Sequence, residues 1–411
     1  MIMITSTINS ITRGSMKIGV LKENDLLITS GDSFIEEKRV SLTPEIAKDF
    51  IKQGLEVLIE TNAGELCGWS NEEYQAFGAK IVNKAEVLKC EIILKVNPLS
   101  TKEISLLKPN QIVIANFKAL NNLNLLKEVA NTKVEAYSLD LMPRISRAQS
   151  MDILSSQSNL LGYQAVIHAA YYSNLVFPMM MTSAGTIAPA KVFVIGAGVA
   201  GLQAIATAKR LGGVVSAYDV RLDTKEQVES LGGKFLIVAE ANSNLTITSS
   251  VSKVNSHTSK TAQVYAKEMN EDYKAQEKAL LLNHISKQDV VITTALIQGK
   301  KSPILIDEEI LKKMKPGSVI IDLAIENGGN CLFAEKGKIV EQYGVKIIGL
   351  NLINFIPKQA SQLFGKNIYN YLIPYLDKEA KLIKLNQEDQ LIKGCLVTKN
   401  GEIVHDLLKS M

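Results

Sequence analysis

The chain has 411 residues, a formal net charge of +4 and 46% apolar residues, which implies two or three domains of an ordinary soluble globular protein. The small positive balance comes with no basic stripe interleaved with aromatics, which argues against nucleic acid as a partner. Four scattered cysteines, with no CxxC pair and no Cys/His cluster, argue against a disulfide framework and against zinc.

Residues 1–15 lack a basic start, a long apolar core and a cleavage site, and they read as a disordered extension rather than a secretory signal. From Met16 the pattern becomes regular. Lys17–Leu21 reads as a first strand. Pro44–Gln53 has helical spacing, with Thr43 as N-cap, Pro44 at the first helical position and Gly54 as a stop. Strands follow at 57–60, 81–82, 91–96, 111–115 and 133–137, with a short helix at 71–77 between them. Strands alternating with helical segments predict a parallel, doubly wound α/β sheet.

A polar helix start at 152–159 leads into Gln164–Tyr172, long enough to link two domains. The uncharged stretch Ala169–Ala190 contains Pro178, Gly185 and Pro189, which do not suit a membrane span, so it reads as a buried connection. A second alternation then places strands at 192–195, 214–218, 235–238, 289–294, 318–322 and 345–349. The expected division is a first α/β domain at 16–157, completed by a helical return at 357–411, and a second at 158–356. Residues 241–278 are polar and charged and read as a mobile loop interrupting the second domain. The fold class expected is two Rossmann-like doubly wound parallel-sheet domains with a cleft between them.

The most specific stretch is Lys191-Val-Phe-Val-Ile-Gly-Ala-Gly-Val-Ala-Gly201. A strand ends in Gly196-x-Gly198-x-x-Gly201, a helix opens, and the next strand ends in Asp219. In this context Gly196 permits the tight turn, Gly198 lets backbone amides approach a pyrophosphate, and Gly201 lets the helix pack close to the strand. The diphosphate would sit on the helix N-terminus. Asp219 is placed to accept hydrogen bonds from a ribose diol. Arg221 lies close by and is able to meet a 2′-phosphate, but a carboxylate at the strand end repels one, so NAD(H) rather than NADP(H) is expected.

Arg144, Gln149, Asp152 and Ser155 form a second polar constellation just after a strand. It reads equally as a nicotinamide-orienting cluster and as N-capping in a solvated loop. Glu36–Pro44 reads as a surface charge run, although Arg39 before a helix start is also able to bind a carboxylate. His168 reads as structural, and His257, His284 and His405 as loop residues without metal-ligand spacing. No GxSxG nucleophile motif occurs.

The chain resembles the soluble NAD(H)-binding alpha subunits of proton-translocating NAD(P) transhydrogenases, whose architecture alanine dehydrogenases share. The likeness runs from about Met16 to His405. It rests on Pro143–Asp152, Pro178–Thr186, the glycine fingerprint, Lys225–Lys234, Tyr265–Met269, Thr293–Ile297 and Asp322–Asn330. It implies that Arg144, Gln149, Asp152 and Ser155 act on the nicotinamide half of the cofactor. It also implies cofactor contacts from Gly196, Gly198, Val199, Ala200, Gly201, Asp219, Val220, Arg221, Gly233, Thr294, Ala295 and Leu296. Tyr265 and Met269 would belong to a mobile loop closing over the nucleotide. Gln298, where the family commonly has proline, and the 242–260 stretch depart from the pattern.

The resemblance further implies direct hydride transfer from NADH to NADP⁺ held by a partner subunit, with no metal and no protein acid or base. Partners would be a membrane-embedded proton channel and an NADP(H)-binding domain. The chain itself would be a homodimer, cytoplasmic and peripheral on the membrane, with no span of its own. An alanine-type amino-acid dehydrogenase is the alternative. That chemistry calls for a histidine, and Lys118 stands where one would be expected. A non-catalytic NAD-sensing module is a third reading.

Overall fold

The computed structural model describes residues 15–23, 27–28, 34–238, 271–297 and 299–411. The chain forms two compact units. Of the described residues, one unit comprises those up to Leu27, Glu36–Ser156 and Ile356–Met411; the other comprises those within 28–35 and 157–355. The long helix Ile153–Tyr172 belongs to the first unit up to Ser156 and to the second from Gln157.

In the first unit, six strands run parallel in the spatial order Lys80–Val82, Glu56–Glu60, Lys17–Val20, Ile92–Leu94, Ile112–Ala115, Glu135–Ser138. The chain's end adds Leu396–Lys399 antiparallel to Glu135–Ser138, and Glu402–Ile403 beyond it. Successive strand residues point to opposite faces, so the apolar strands feed two cores. Ile18, Ile92, Leu94 and Ile114 enter one, and Ile93, Val113 and Ala115 the other. The helix Pro44–Lys52 is set by its sequence: Thr43 Oγ1 accepts from Ile46 N, Pro44 fixes the first turn, and Gly54 at φ 86° ends it. It buries Ile46, Ala47 and Phe50.

The second unit repeats the plan. Its sheet runs Lys234–Phe235, Val214–Tyr218, Lys191–Ile195, Val290–Thr293, Val319–Asp322, Val345–Ile348, with Ile339–Gln342 antiparallel at the edge. Within Lys191–Ile195, Val192 and Val194 face one core, Phe193 and Ile195 the other. Both units are therefore Rossmann-like doubly wound sheets. In each, the first strand is central and the strand order reverses beside it, and ligands of such folds bind at that point.

Several expectations change. Ala169–Ala190 is not a buried connection. After the helix stops at Tyr172, Met180–Thr182 and Gly185–Ile187 form an antiparallel hairpin exposed at all six positions; only Ser173, Phe177 and Ala190 of the segment after the helix are buried. The two strands satisfy each other's backbone groups, so lack of charge did not require burial. The strand expected at 235–238 is confined to Lys234–Phe235. Residues 271–278, expected to belong to a mobile loop, lie instead in the helix Glu271–Ile285, which Leu281 and Ile285 anchor; residues 239–270 lie outside those described. The first helix of the C-terminal return spans Pro357–Leu372. Among the described residues no helix is long and apolar enough to cross a membrane.

Candidate functional site

The glycine loop of the second unit connects the central strand Lys191–Ile195 to the helix Val199–Arg210. Gly196 has φ 97°, and a Cβ there would lie 2.4 Å from Thr294 Oγ1. A Cβ on Gly201 would lie 1.8 Å from Gly196 O, so the helix packs on the loop with no room for a side chain. Gly198 differs: its φ of −77° is open to any residue, and a Cβ there would meet nothing within 4 Å. Neither packing nor backbone strain explains that glycine. Clear space over a helix N-terminus does, because it leaves a seat for a diphosphate. The residues present thus fit a dinucleotide. Val199 is exposed and Ala200 half-buried at the helix start.

Asp219 follows the strand Val214–Tyr218 and is 7% exposed. Its Oδ2 accepts from Ala197 N at 2.7 Å, tying it to the glycine loop. Arg221 donates to Oδ1 through its backbone N and Nε, and to Oδ2 through Nη2, all at 2.9 Å. Burial raises the Asp219 pKa, but the Arg221 bonds and the backbone N–H groups outweigh it and hold the carboxyl below its ordinary range. Val220 packs against the core beside it. Gly233 is turned to the interior, where a Cβ would lie 3.1 Å from Val228 Cγ1 and 3.2 Å from Ile205 Cγ2.

The strand Val290–Thr293 lies across the reversal from Lys191–Ile195, and its loop carries Thr294, Ala295 and the exposed Leu296. Thr294 Oγ1 donates to Gly196 O at 3.0 Å. Ala295 is clamped: its N donates to Asn330 Oδ1 at 3.1 Å and its O accepts from Asn330 Nδ2 at 2.9 Å. Asn330 is held in turn by Asp322, whose Oδ2 accepts from Asn330 N at 2.7 Å and Cys331 N at 2.9 Å. Reasoning from sequence marked the loop but not this support, although both residues end the stretch Asp322–Asn330.

In the first unit, Ser146–Met151 forms 3₁₀ turns and Asp152 starts the helix Ile153–Tyr172. Asp152 caps that helix: Oδ1 accepts from Ser155 N at 3.0 Å and Oδ2 from Ser155 Oγ at 2.6 Å. Although Gln149, Asp152 and Ser155 are spaced by three, the break at Asp152 means that Gln149 does not share a helical face with the other two. Arg144 and Gln149 are exposed. The loop is fastened to the helix Pro357–Leu372, since Asn367 and Asn370 donate through Nδ2 to Ser150 O at 2.9 and 3.0 Å. Arg147 pairs with Asp389. Those anchors come from far along the chain, and no local signal announces them.

The charge run before the first helix is only partly on the surface: Glu36 is exposed, Lys38 and Arg39 are half-buried, and Glu37 is buried. Glu37 is buried and chelated by Arg39 through Nε at 2.9 Å and Nη2 at 2.7 Å. Lys95, 2% exposed, pairs with Glu103 at 2.8 Å. Glu23 accepts from Val96 N at 2.6 Å and Asn97 N at 3.2 Å. Burial would raise the Glu37 pKa, but Arg39 brings it down to about 2. Burial pushes Glu23 up to about 7, with Lys95 only partly opposing it. The Glu23 value in the fold exceeds its ordinary 4.5, so its contribution to stability is present below that value and is lost as pH rises through 7. Urea denaturation of Glu23→Gln and wild type at pH 5 and pH 8 is therefore expected to shift in the variant's favour at pH 8, by at least about 1 kcal/mol, the worth of one pKa unit. An unchanged difference would contradict a neutral Glu23.

Tyr265, Met269, His257 and Gln298 lie outside the described residues. His168 Nδ1 is 3.0 Å from Gln164 O and its ring lies edge-on to Phe355. His284 is not in a loop: it sits in the last turn of Glu271–Ile285 with Nε2 2.7 Å from Ser216 Oγ. Among the described residues no His/Cys/Asp/Glu cluster is arranged to hold a metal ion.

Two family models match the chain: "Alanine dehydrogenase/PNT, N-terminal domain" over residues 32–161 and "Alanine dehydrogenase/PNT, C-terminal domain" over residues 165–406. An NAD(P) transhydrogenase alpha subunit of Rhodospirillum rubrum is 48% identical over 380 residues, covering 90% of this chain and 96% of that protein. A solved transhydrogenase structure from Sinorhizobium meliloti superposes with a TM-score of 0.79 at 41% identity, covering 94% of this chain and 100% of that one. An L-alanine dehydrogenase structure shares the fold, with a TM-score of 0.74 at 21% identity over 96% of this chain and 98% of that one. The chain belongs to the alanine dehydrogenase/PNT family and, within it, to the NAD(P) transhydrogenase alpha subunits.

Proposed function

We propose that this chain is the NAD(H)-binding component of a proton-translocating NAD(P) transhydrogenase, passing a hydride directly between NADH and NADP⁺ held by a partner subunit. The observation that carries the reading is the glycine loop, in which Gly198 leaves clear space above the start of the helix Val199–Arg210. When bound, a reduced nicotinamide supplies the hydride, and the protein needs to position it and exclude water rather than move a proton. Helix N–H groups hold the diphosphate and Asp219 the adenosine ribose. Thr294, Ala295 and Leu296 line the loop beside them, with Asn330 fixing its backbone. Arg144 and Gln149 orient the nicotinamide, while Asp152 holds Ser155.

The alanine dehydrogenase alternative needs a free cation for the substrate carboxylate and a proton-transfer group. Arg39 is already chelated by Glu37, Lys95 is already paired with Glu103, and Lys118 stands where histidine would be expected. These pairings favour the transhydrogenase reading. The chain works as a homodimer beside a membrane-embedded proton channel, on the cytoplasmic side. The fully exposed hairpin around Met180–Ile187 supports pairing with another surface, since contiguous exposed apolar residues mark interfaces.

The test mixes the chain with the NADP(H)-binding domain of a transhydrogenase beta subunit, NADH and an NADP⁺ analogue of distinct absorbance. Analogue reduction that requires both proteins is expected, and Gln149→Ala is expected to slow it at least about tenfold, or 1.4 kcal/mol in the barrier, while changing NADH affinity less. Failure to reduce the analogue in a sample that binds NADH would overturn the reading in favour of an NAD-sensing role, and alanine oxidation by the chain alone would overturn it in favour of a dehydrogenase.

A further inference from the structure

Asp219 is more than an acceptor awaiting a ribose. A carboxylate has about four lone-pair sites, and four N–H groups of the protein fill them: one from Ala197 and three from Arg221. The Arg221 backbone N–H and that of Ala197 are fixed by the fold. The guanidinium is not, since its side chain is 38% exposed and reaches Asp219 by bending back over only two residues. It is therefore the movable occupant of the carboxylate. Among the described residues it is also the one cation paired with the acid at the end of the second strand, the place where an arginine in such folds receives a 2′-phosphate. Aspartate and arginine are thus present together at the position where one commonly excludes the other.

We propose that Asp219 sets the choice of dinucleotide in two ways, as ribose acceptor and as the counter-charge that withholds Arg221 from a 2′-phosphate, so that Arg221 is a second specificity-determining residue held in reserve. The inference rests on reading the glycine loop as the NAD(H) site. Bidentate pairing is directional as well as electrostatic. A ribose diol can replace the guanidinium N–H groups on the charged carboxylate, whereas a phosphate brought to the same place meets the negative charge of Asp219 and finds the guanidinium already paired with it. Neutralising position 219 removes the repulsion and releases the cation in one step. NADP(H) binding then depends on Arg221, which it does not in the native chain. NADH loses its charged acceptor but keeps the diphosphate seat.

The experiment titrates NADH and NADPH, by quenching of nucleotide fluorescence, into the full-length wild type, Asp219→Asn and Asp219→Asn/Arg221→Ala. Asparagine keeps an acceptor oxygen for Ala197 N; Asp219→Ser is run beside it, so that a folding defect in one variant leaves the other to report. Wild type is expected to bind NADH well over NADPH. The single variants are expected to tighten NADPH binding at least about tenfold and to weaken NADH binding. The double variant is expected to lose most of the NADPH gain. If the gain survives in the double variant, relief of repulsion explains everything and the role of Arg221 is overturned. If no gain appears in folded Asp219→Asn or Asp219→Ser, the latch is overturned while the NAD(H) site stands. If wild type binds no NADH, the cofactor reading falls and the latch with it.

Discussion

Alanine in place of Gly201 is expected to cripple the second unit, and alanine in place of Gly198 to leave it standing but unable to hold NADH well. A Cβ on Gly201 would lie 1.8 Å from the oxygen and 2.8 Å from the carbonyl carbon of Gly196. Both atoms are backbone in the loop they would have to leave, and Gly196 is itself pinned by Thr294. Forced overpacking of this kind costs about 3 kcal/mol or more, and relief would push the helix Val199–Arg210 off the sheet. Gly198→Ala meets no atom within 4 Å and needs no unusual φ. Its stability cost is that of a poorer helix cap, at most about 1 kcal/mol. A methyl group there stands where the diphosphate would approach, so NADH affinity is expected to fall at least about tenfold, or 1.4 kcal/mol. Urea denaturation and NADH titration of both variants separate the two effects. A Gly198→Ala variant that binds NADH as tightly as wild type would remove the argument that the open space is a ligand seat.

That contrast also shows what the sequence made legible. The strand, glycine loop, helix and Asp219 lie close together in the chain, and each has a local reason that survives in three dimensions. The two parallel sheets were legible for the same reason, since apolar strands bounded by helices carry their period on their face. What stayed hidden was long-range pairing. Glu37 looked like a surface charge because its partners Arg39 and Asn97 only become a buried cluster once separate segments meet. The Met180–Ile187 hairpin looked buried because lack of charge resembles a core segment until the strands pair with each other in the open. Asn330 was only the last residue of the stretch Asp322–Asn330, with no role of its own read from the sequence. Its importance comes from Ala295, 35 residues earlier, whose backbone it holds on both sides.

Asp322 controls that clamp, and its removal is the second large effect expected. The residue ends the strand Val319–Asp322, is 1% exposed, and accepts from Ala324 N at 3.0 Å, Asn330 N at 2.7 Å and Cys331 N at 2.9 Å. Burial raises its pKa, and the three N–H groups offset part of that rise. Asp322→Ala would leave three buried donors without an acceptor. Each such donor costs about 1–3 kcal/mol, and with partial relaxation the loss is expected to be about 4 kcal/mol. Asp322→Asn keeps the shape but turns an amide group toward one of the donors, so its loss is expected to be clearly smaller, about half. The backbone at Asn330 is what Asp322 fixes, so NADH affinity should fall in the folded Asp322→Asn variant as the Thr294–Leu296 loop loosens. Denaturation midpoints for the two variants, followed by NADH titration of Asp322→Asn at a temperature where it is folded, give both readouts. Equal losses in the two variants would mean that the acceptor geometry at Asp322 is not what holds the loop; a smaller loss in Asp322→Asn, with weakened NADH binding, ties the buried carboxylate to the site through Asn330.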